Sequence, residues 1–126
     1  MTQAQSASAK KSGGEAERLA ERYLTGQGLK LVARNYRCRS GEIDLIMQHA
    51  ETLVFVEVKL RKTLSGSVNF GGALASITAS KQAKIITTAQ HYLAGLKHLP
   101  ACRFDVAVLN GLNLQDVEWV ANAFEA

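Results

Sequence analysis

The sequence predicts an α/β domain, a mixed sheet flanked by helices in the order α-β-β-β-α-β with room for a fifth strand. Three observations predict it. Apolar residues recur at three- and four-residue steps over about residues 15–27 and again over about residues 80–97, as amphipathic helices require. Three strand-like runs lie between them, and the last two are close enough to form a hairpin. A further β-rich run follows Pro100, and a helix in between is what carries a chain across a sheet to a new strand.

The chain has 126 residues, the size of one domain, and 47% of them are hydrophobic, enough for a real core. Residues 1–13 are polar and read as a disordered tail, leaving 14–126 as a single domain. No apolar run approaches the ~20 residues of a membrane span, and the N-terminus has no apolar signal segment, so a cytoplasmic protein is expected. Cys38 and Cys102 lack metal-site spacing and His49, His91 and His98 are scattered, so the cysteines read as free buried thiols. A net charge of +4, part of it in the tail at Lys10 and Lys11, leans toward an anionic partner.

Taken in order, Ala16, Leu19, Ala20, Tyr23, Leu24 and Gln27 mark one face of the first helix, which Gly26 and Gly28 stop. Residues 29–37 form strand one, 41–48 strand two and 53–60 strand three, with residues 49–52 as the turn of a hairpin. Residues 63–72 contain three glycines and few apolar anchors and read as a mobile loop. Thr78 or Ser80 caps the second helix, whose inner face carries Ile85, Ile86, Ala89, Leu93 and Leu96. Residues 102–109 form strand four, and 114–120 a fifth strand.

The chemistry lies in the hairpin. Glu42, Asp44, Ile46 and Gln48 fall on one face of strand two, and Leu53, Phe55, Glu57 and Lys59 on one face of strand three. A symmetric turn sets Asp44 opposite Glu57 and Glu42 opposite Lys59, with Cβ atoms ~5 Å apart. Two carboxylates that close repel unless a cation joins them. Mg²⁺ accepts one or two carboxylates and keeps waters and phosphate oxygens as its other ligands. Lys59 would then hold an attacking water or meet charge developing on a phosphate. The same residues admit a structural reading, with Glu42 and Lys59 as a cross-strand ion pair and Asp44 as a solvated acid. A one-residue slip of register would send Asp44 and Glu57 to opposite faces.

Asp44, Glu57, Val58 and Lys59 resemble the PD-(D/E)xK nuclease signature, with Ile43 where a proline usually stands. More closely, residues 17–24, 34–37, 41–46, 54–59 and 102–106 resemble the YraN family, whose members are largely uncharacterised and are similar to archaeal Holliday-junction resolvases. The resemblance spans residues 15–110 and implies a restriction-endonuclease-like core. It implies that Asp44, Glu57 and the main-chain carbonyl of Val58 ligate Mg²⁺ or Mn²⁺, and that Lys59 orients water for phosphodiester hydrolysis. It also places Glu17 of the first helix at the same site, the other reading of Glu17 being a solvent-facing acid like Glu15 and Glu21. Similar resolvases are dimers, although no interface is legible in these residues.

Arg34, Arg37 and Arg39 end strand one, Arg61 and Lys62 follow strand three, and Lys81 and Lys84 open the second helix, sharing a face with Thr88 and His91. Arg34, Arg37, Arg61, Lys62, Lys81 and Lys84 are the expected phosphate contacts, though each singly also suits a solvated charged face. His49 reads as a surface residue, Tyr36, Phe70 and Trp119 as packing residues, and Asp105 as a buried hydrogen-bonded acid or a solvent-facing alternate. The function expected is a metal-dependent nuclease acting on DNA, branched DNA included. The alternative is a non-catalytic nucleic-acid-binding or protein-interaction module on the same fold.

Overall fold

In the computed structural model the described residues are 7–61 and 77–126, without the side chains of 7–13. Helix α1 (Ala7–Gly26) precedes strands β1 (Lys30–Cys38), β2 (Gly41–His49) and β3 (Thr52–Leu60). Helix α2 (Ala79–Leu93), β4 (Ala101–Leu109), a single 3-10 turn (Leu114–Asp116) and β5 (Val117–Phe124) follow. The order matches the expected α-β-β-β-α-β core with its fifth strand. The loop expected over 63–72, with Phe70, lies outside the described residues.

The first helix begins within the segment read as a tail. Ala7, Ala9, Lys10 and Lys11 are good helix formers, and an anchored apolar face downstream gives them a helix to extend. At its other end the Leu29 N–H donates to the Leu24 carbonyl at 3.1 Å, with Gly28 at φ 102° and both leucines buried. That bond and the apolar contact form a Schellman stop.

The five strands lie in the order β1-β2-β3-β4-β5, with β3 and β4 parallel and every other pair antiparallel. Alternation along β3 divides the core. Val54 and Val56 face α1, where Ala16, Ala20 and Leu24 pack with Leu45, Met47, Ala107 and Leu109. Leu53 and Phe55 face α2, where Ile85 and Ala89 pack with Ile46, Phe104, Val106 and Val108. Each helix therefore covers one face of the sheet, and α2 is the crossover that makes β3 and β4 parallel.

Thr78 caps α2, its side chain accepting from the Lys81 N–H at 3.1 Å. The helix ends at Leu93, earlier than expected, so Leu96 lies outside it and is exposed. Of the Lys81, Lys84, Thr88, His91 face only Thr88 is fully buried, while Lys84 and His91 are exposed, so this face lies along the border between sheet and solvent. His91 Nδ1 is hydrogen-bonded there to the Tyr36 hydroxyl. Both cysteines are free, but Cys38 is half-buried and Cys102 exposed, Cys38 ending the edge strand β1 and Cys102 lying near the start of β4.

Asp105 is the buried acid of β4. Its carboxylate is fully enclosed and accepts from Arg103 Nε (3.0 Å), Trp119 Nε1 (2.9 Å) and the Asn122 N–H (2.9 Å). These bonds hold β5 across a bulge between Phe104 and Val106, where Asn122 takes φ 54°. His49, the last residue of β2, is hydrogen-bonded to Arg103 rather than free in a turn.

Candidate active site

The β2–β3 hairpin turns at Ala50 and Glu51 and pairs as expected, from His49 with Thr52 through Leu45 with Val56. The same register would next pair Asp44 with Glu57, but the ladder stops. Instead Asp44 Oδ2 accepts from the Val58 N–H at 2.8 Å, so a side-chain oxygen replaces a strand carbonyl. The cause lies partly in β1. Tyr36 and Ile43 join the α2-side core, as do their paired neighbours Ala33 and Ile46 three residues away. Strict alternation fails between them in both strands, and there Asn35 adopts φ 51°. Asp44, facing this irregularity, lies between the two faces of the sheet.

Asp44 and Glu57 are 9% and 7% exposed, the two buried acids at this end of the sheet. Burial first, and the charge of Glu57 second, push the Asp44 carboxyl up to about 8, against the Val58 N–H bond that pulls it down. Glu17 on α1 is within hydrogen-bonding reach of Asn35 and Asp44, and burial raises its carboxyl above the ordinary range. Asp44 therefore holds its proton to higher pH than an ordinary aspartate. Glu17, Asp44 and Glu57 come from three elements, and the charges of the other two raise Asp44.

The basic residues divide. Lys81 Nζ is 2.8 Å from Glu57 Oε2. Glu42 pairs with Arg37 at 3.0 Å and not with Lys59, because β1 is the neighbour that stays in register with it. The Lys59 side chain makes no ion pair among the described residues; alternation leaves it on the Glu57 face, toward the end of β3. Arg34 is held by Glu21 through two bonds of 2.8 and 3.0 Å. Arg61 Nη1 donates to Asn110 Oδ1 at 3.3 Å. Lys84 is exposed, and Lys62 lies outside the described residues.

An open cavity of about 450 Å³ on the α2 side is lined by Arg37, Glu42, Asp44, Glu57, Lys81 and Lys84, with Cys38 at its edge. The Cys38 thiol is hydrogen-bonded to Ser40, which holds it below its ordinary range. A second cavity of about 370 Å³, on the α1 side, is lined by Glu17, Arg18, Glu21, Arg22, Arg34 and Asn35. Asp44 lines the first cavity and Glu17 the second. Sequence reasoning missed Arg18, Arg22 and Asn35. The arginines sit one helical turn apart on the Glu17 helix, a spacing that was legible. The backbone role of Asn35 was not.

A family model matches residues 16–109, from the helix that carries Glu17 to the end of β4. The chain belongs to uncharacterised protein family UPF0102. This is the YraN family of the sequence resemblance. A UPF0102 protein of Nitrosospira multiformis is 55% identical over 113 residues, covering 90% of this chain and 92% of that protein. Another, from Nitrosomonas europaea, is 50% identical over 118 residues, covering 94% and 97%. One from Saccharophagus degradans is 53% identical over 116 residues, covering 90% and 92%.

The UPF0102 site suits a hard divalent cation by its donors. Two buried acids supply oxygen, the donor that Mg²⁺ and Mn²⁺ prefer, and burial and mutual repulsion raise the Asp44 carboxyl even with Lys81 on Glu57. Among the described residues no three His, Cys, Asp or Glu side chains form a ready-made cage. Mg²⁺ commonly uses one or two carboxylates with waters and substrate oxygens, so two acids and a main-chain carbonyl are a sufficient set.

Proposed function

We propose that this UPF0102 protein is a metal-dependent nuclease that hydrolyses DNA phosphodiester bonds, branched DNA included. The observation that carries the reading is a pair of buried acids, Asp44 and Glu57, that line one cavity beside a broken rung of the sheet, with Arg37, Lys81 and Lys84 on the same wall. Two buried carboxyl groups whose charges oppose one another are costly to the fold, whereas a hard divalent cation uses one or two of them as ligands.

Asp44, Glu57 and the Val58 carbonyl would hold Mg²⁺ or Mn²⁺. When bound, such an ion lowers the pKa of its water and neutralises phosphate charge. Lys59, on the Glu57 face, orients the attacking water. Glu17, within reach of Asn35 and Asp44, would take up the proton that Asp44 gives up. Arg37, Lys81 and Lys84 on one side and Arg18 and Arg22 on the other meet the phosphates flanking the scissile one, without reading base sequence.

The second reading, a nucleic-acid-binding or protein-interaction module without turnover, is favoured by one observation. Lys81 already neutralises Glu57. Labelled linear, single-stranded and four-way-junction DNA, incubated with Mg²⁺ or Mn²⁺, separates the two. Cleavage that Asp44→Ala and Lys59→Ala abolish supports the nuclease, and binding to these substrates without cleavage under any metal supports the module.

A further inference from the structure

Lys81 holds a position that the local chemistry of its own helix does not favour. It is the third residue of α2, with its N–H tied to the Thr78 cap. The first turn of α2 contains no acidic residue, and the positive end of a helix dipole disfavours a cation there. What compensates Lys81 is Glu57 on β3, across the interface between helix and sheet, at 2.8 Å. The two partners differ in exposure: the Glu57 side chain is 8% exposed and that of Lys81 42%. The ammonium thus reaches down from the cavity rim onto a buried carboxylate, on a flexible stem that can swing back.

We propose that Lys81 is a resident counter-ion of the carboxylate pair, which a divalent cation displaces and which then engages a phosphate of the nucleic acid. The proposal rests on the nuclease reading above. Glu57 cannot give its full charge to both an ammonium and a divalent ion, because two cations on one carboxylate repel. Once released, Lys81 stays tethered by its backbone to the rim of the cavity that holds Asp44 and Glu57. Lys84, one turn further along, lines the same cavity, so the freed ammonium joins a second one. Lysine suits this exchange better than arginine, whose planar fork would hold the carboxylate at two points.

Two measurements test it on the full-length protein and on Lys81→Met and Lys81→Arg, with thermal melts confirming that both variants fold. The first is Mn²⁺ binding followed by electron paramagnetic resonance, without nucleic acid. Lys81→Met is expected to bind Mn²⁺ roughly fivefold more tightly, the scale of one partly exposed ion pair removed. Lys81→Arg is expected to show no tightening. Equal Kd for Lys81→Met and wild type, or a weaker one for the variant, overturns the displacement. The second is binding of four-way-junction DNA in saturating Ca²⁺ across a salt series. Lys81→Met is expected to bind more weakly, with a salt slope smaller by about one; an unchanged affinity and slope overturn the phosphate contact. Absence of Mn²⁺ binding in wild type and variants alike removes the metal reading itself, and this proposal with it.

Discussion

The Val58 N–H donates to Asp44 Oδ2 across 2.8 Å, at the place where the β2–β3 ladder would have its next rung. One carboxylate oxygen thus satisfies the sheet and the other is left for the site. The bond fixes the position of Asp44 whatever its charge. Its charge depends on pH. An aspartate in an unfolded chain titrates near 3.9, and Asp44 in the fold near about 8, raised chiefly by burial and by Glu57. The folded protein holds a proton that the unfolded chain releases. The resulting stability is complete below pH ~4 and is lost as pH rises to ~8.

Asp44→Asn keeps an acceptor for Val58 and removes that loss. Its melting temperature is expected to exceed that of the wild type at pH 8.5 by several degrees, with little difference at pH 4. Melts across this range check it; a variant less stable at pH 8.5 would show that Asp44 is ionised and stabilising in the metal-free fold.

Glu17→Gln keeps the size of the side chain and its reach to Asn35 and removes one titratable group from the cluster. If Glu17 supports the ligands, as its reach to Asp44 indicates, divalent-ion affinity is expected to fall about 10-fold or more. Calorimetric titration with Mn²⁺ reads this directly. Unchanged affinity would return Glu17 to the role of a bystander.

Asn35→Ala is expected to lose stability, since alanine pays the left-handed backbone penalty of about 1–2 kcal/mol that asparagine offsets by local hydrogen bonding. Asn35→Gly is expected to stay near the wild type in urea unfolding. Equal effects of the two variants would show that φ is not the constraint at this position.

Asp105→Ala is expected to destabilise the fold by about 3–5 kcal/mol, because it leaves the half-buried Arg103 without its carboxylate and Trp119 Nε1 without its acceptor. Urea unfolding followed by Trp119 fluorescence measures both the loss and the loosening of β5.

Much of this was legible in the sequence. Period-two alternation and a short turn were enough to give the hairpin register from His49–Thr52 to Leu45–Val56, because register within a hairpin is a local matter; the expected Asp44–Glu57 rung is replaced by the bond from the Val58 N–H to Asp44. The expected Glu42–Lys59 pair failed because that alternation was extended past the point where β2 and β3 separate. Glu42 answers instead to Arg37 on the other neighbour, which no inspection of one hairpin reveals. The Lys81–Glu57 pair depends on how α2 docks on the sheet, a contact between residues 24 positions apart in the chain, set by Ile85 and Ala89 packing on the core. The left-handed Asn35 is backbone geometry, and an asparagine in a strand-like run does not announce it.

The most direct test of the central claim is Mn²⁺-dependent cleavage of four-way-junction and linear DNA by wild type, Asp44→Asn and Glu57→Gln, each shown by melting to be folded. The account predicts cleavage by wild type that chelation abolishes, and a loss of about 10²-fold or more in both variants. Cleavage by wild type that both variants retain, or no cleavage although wild type binds Mn²⁺ and DNA, would contradict it.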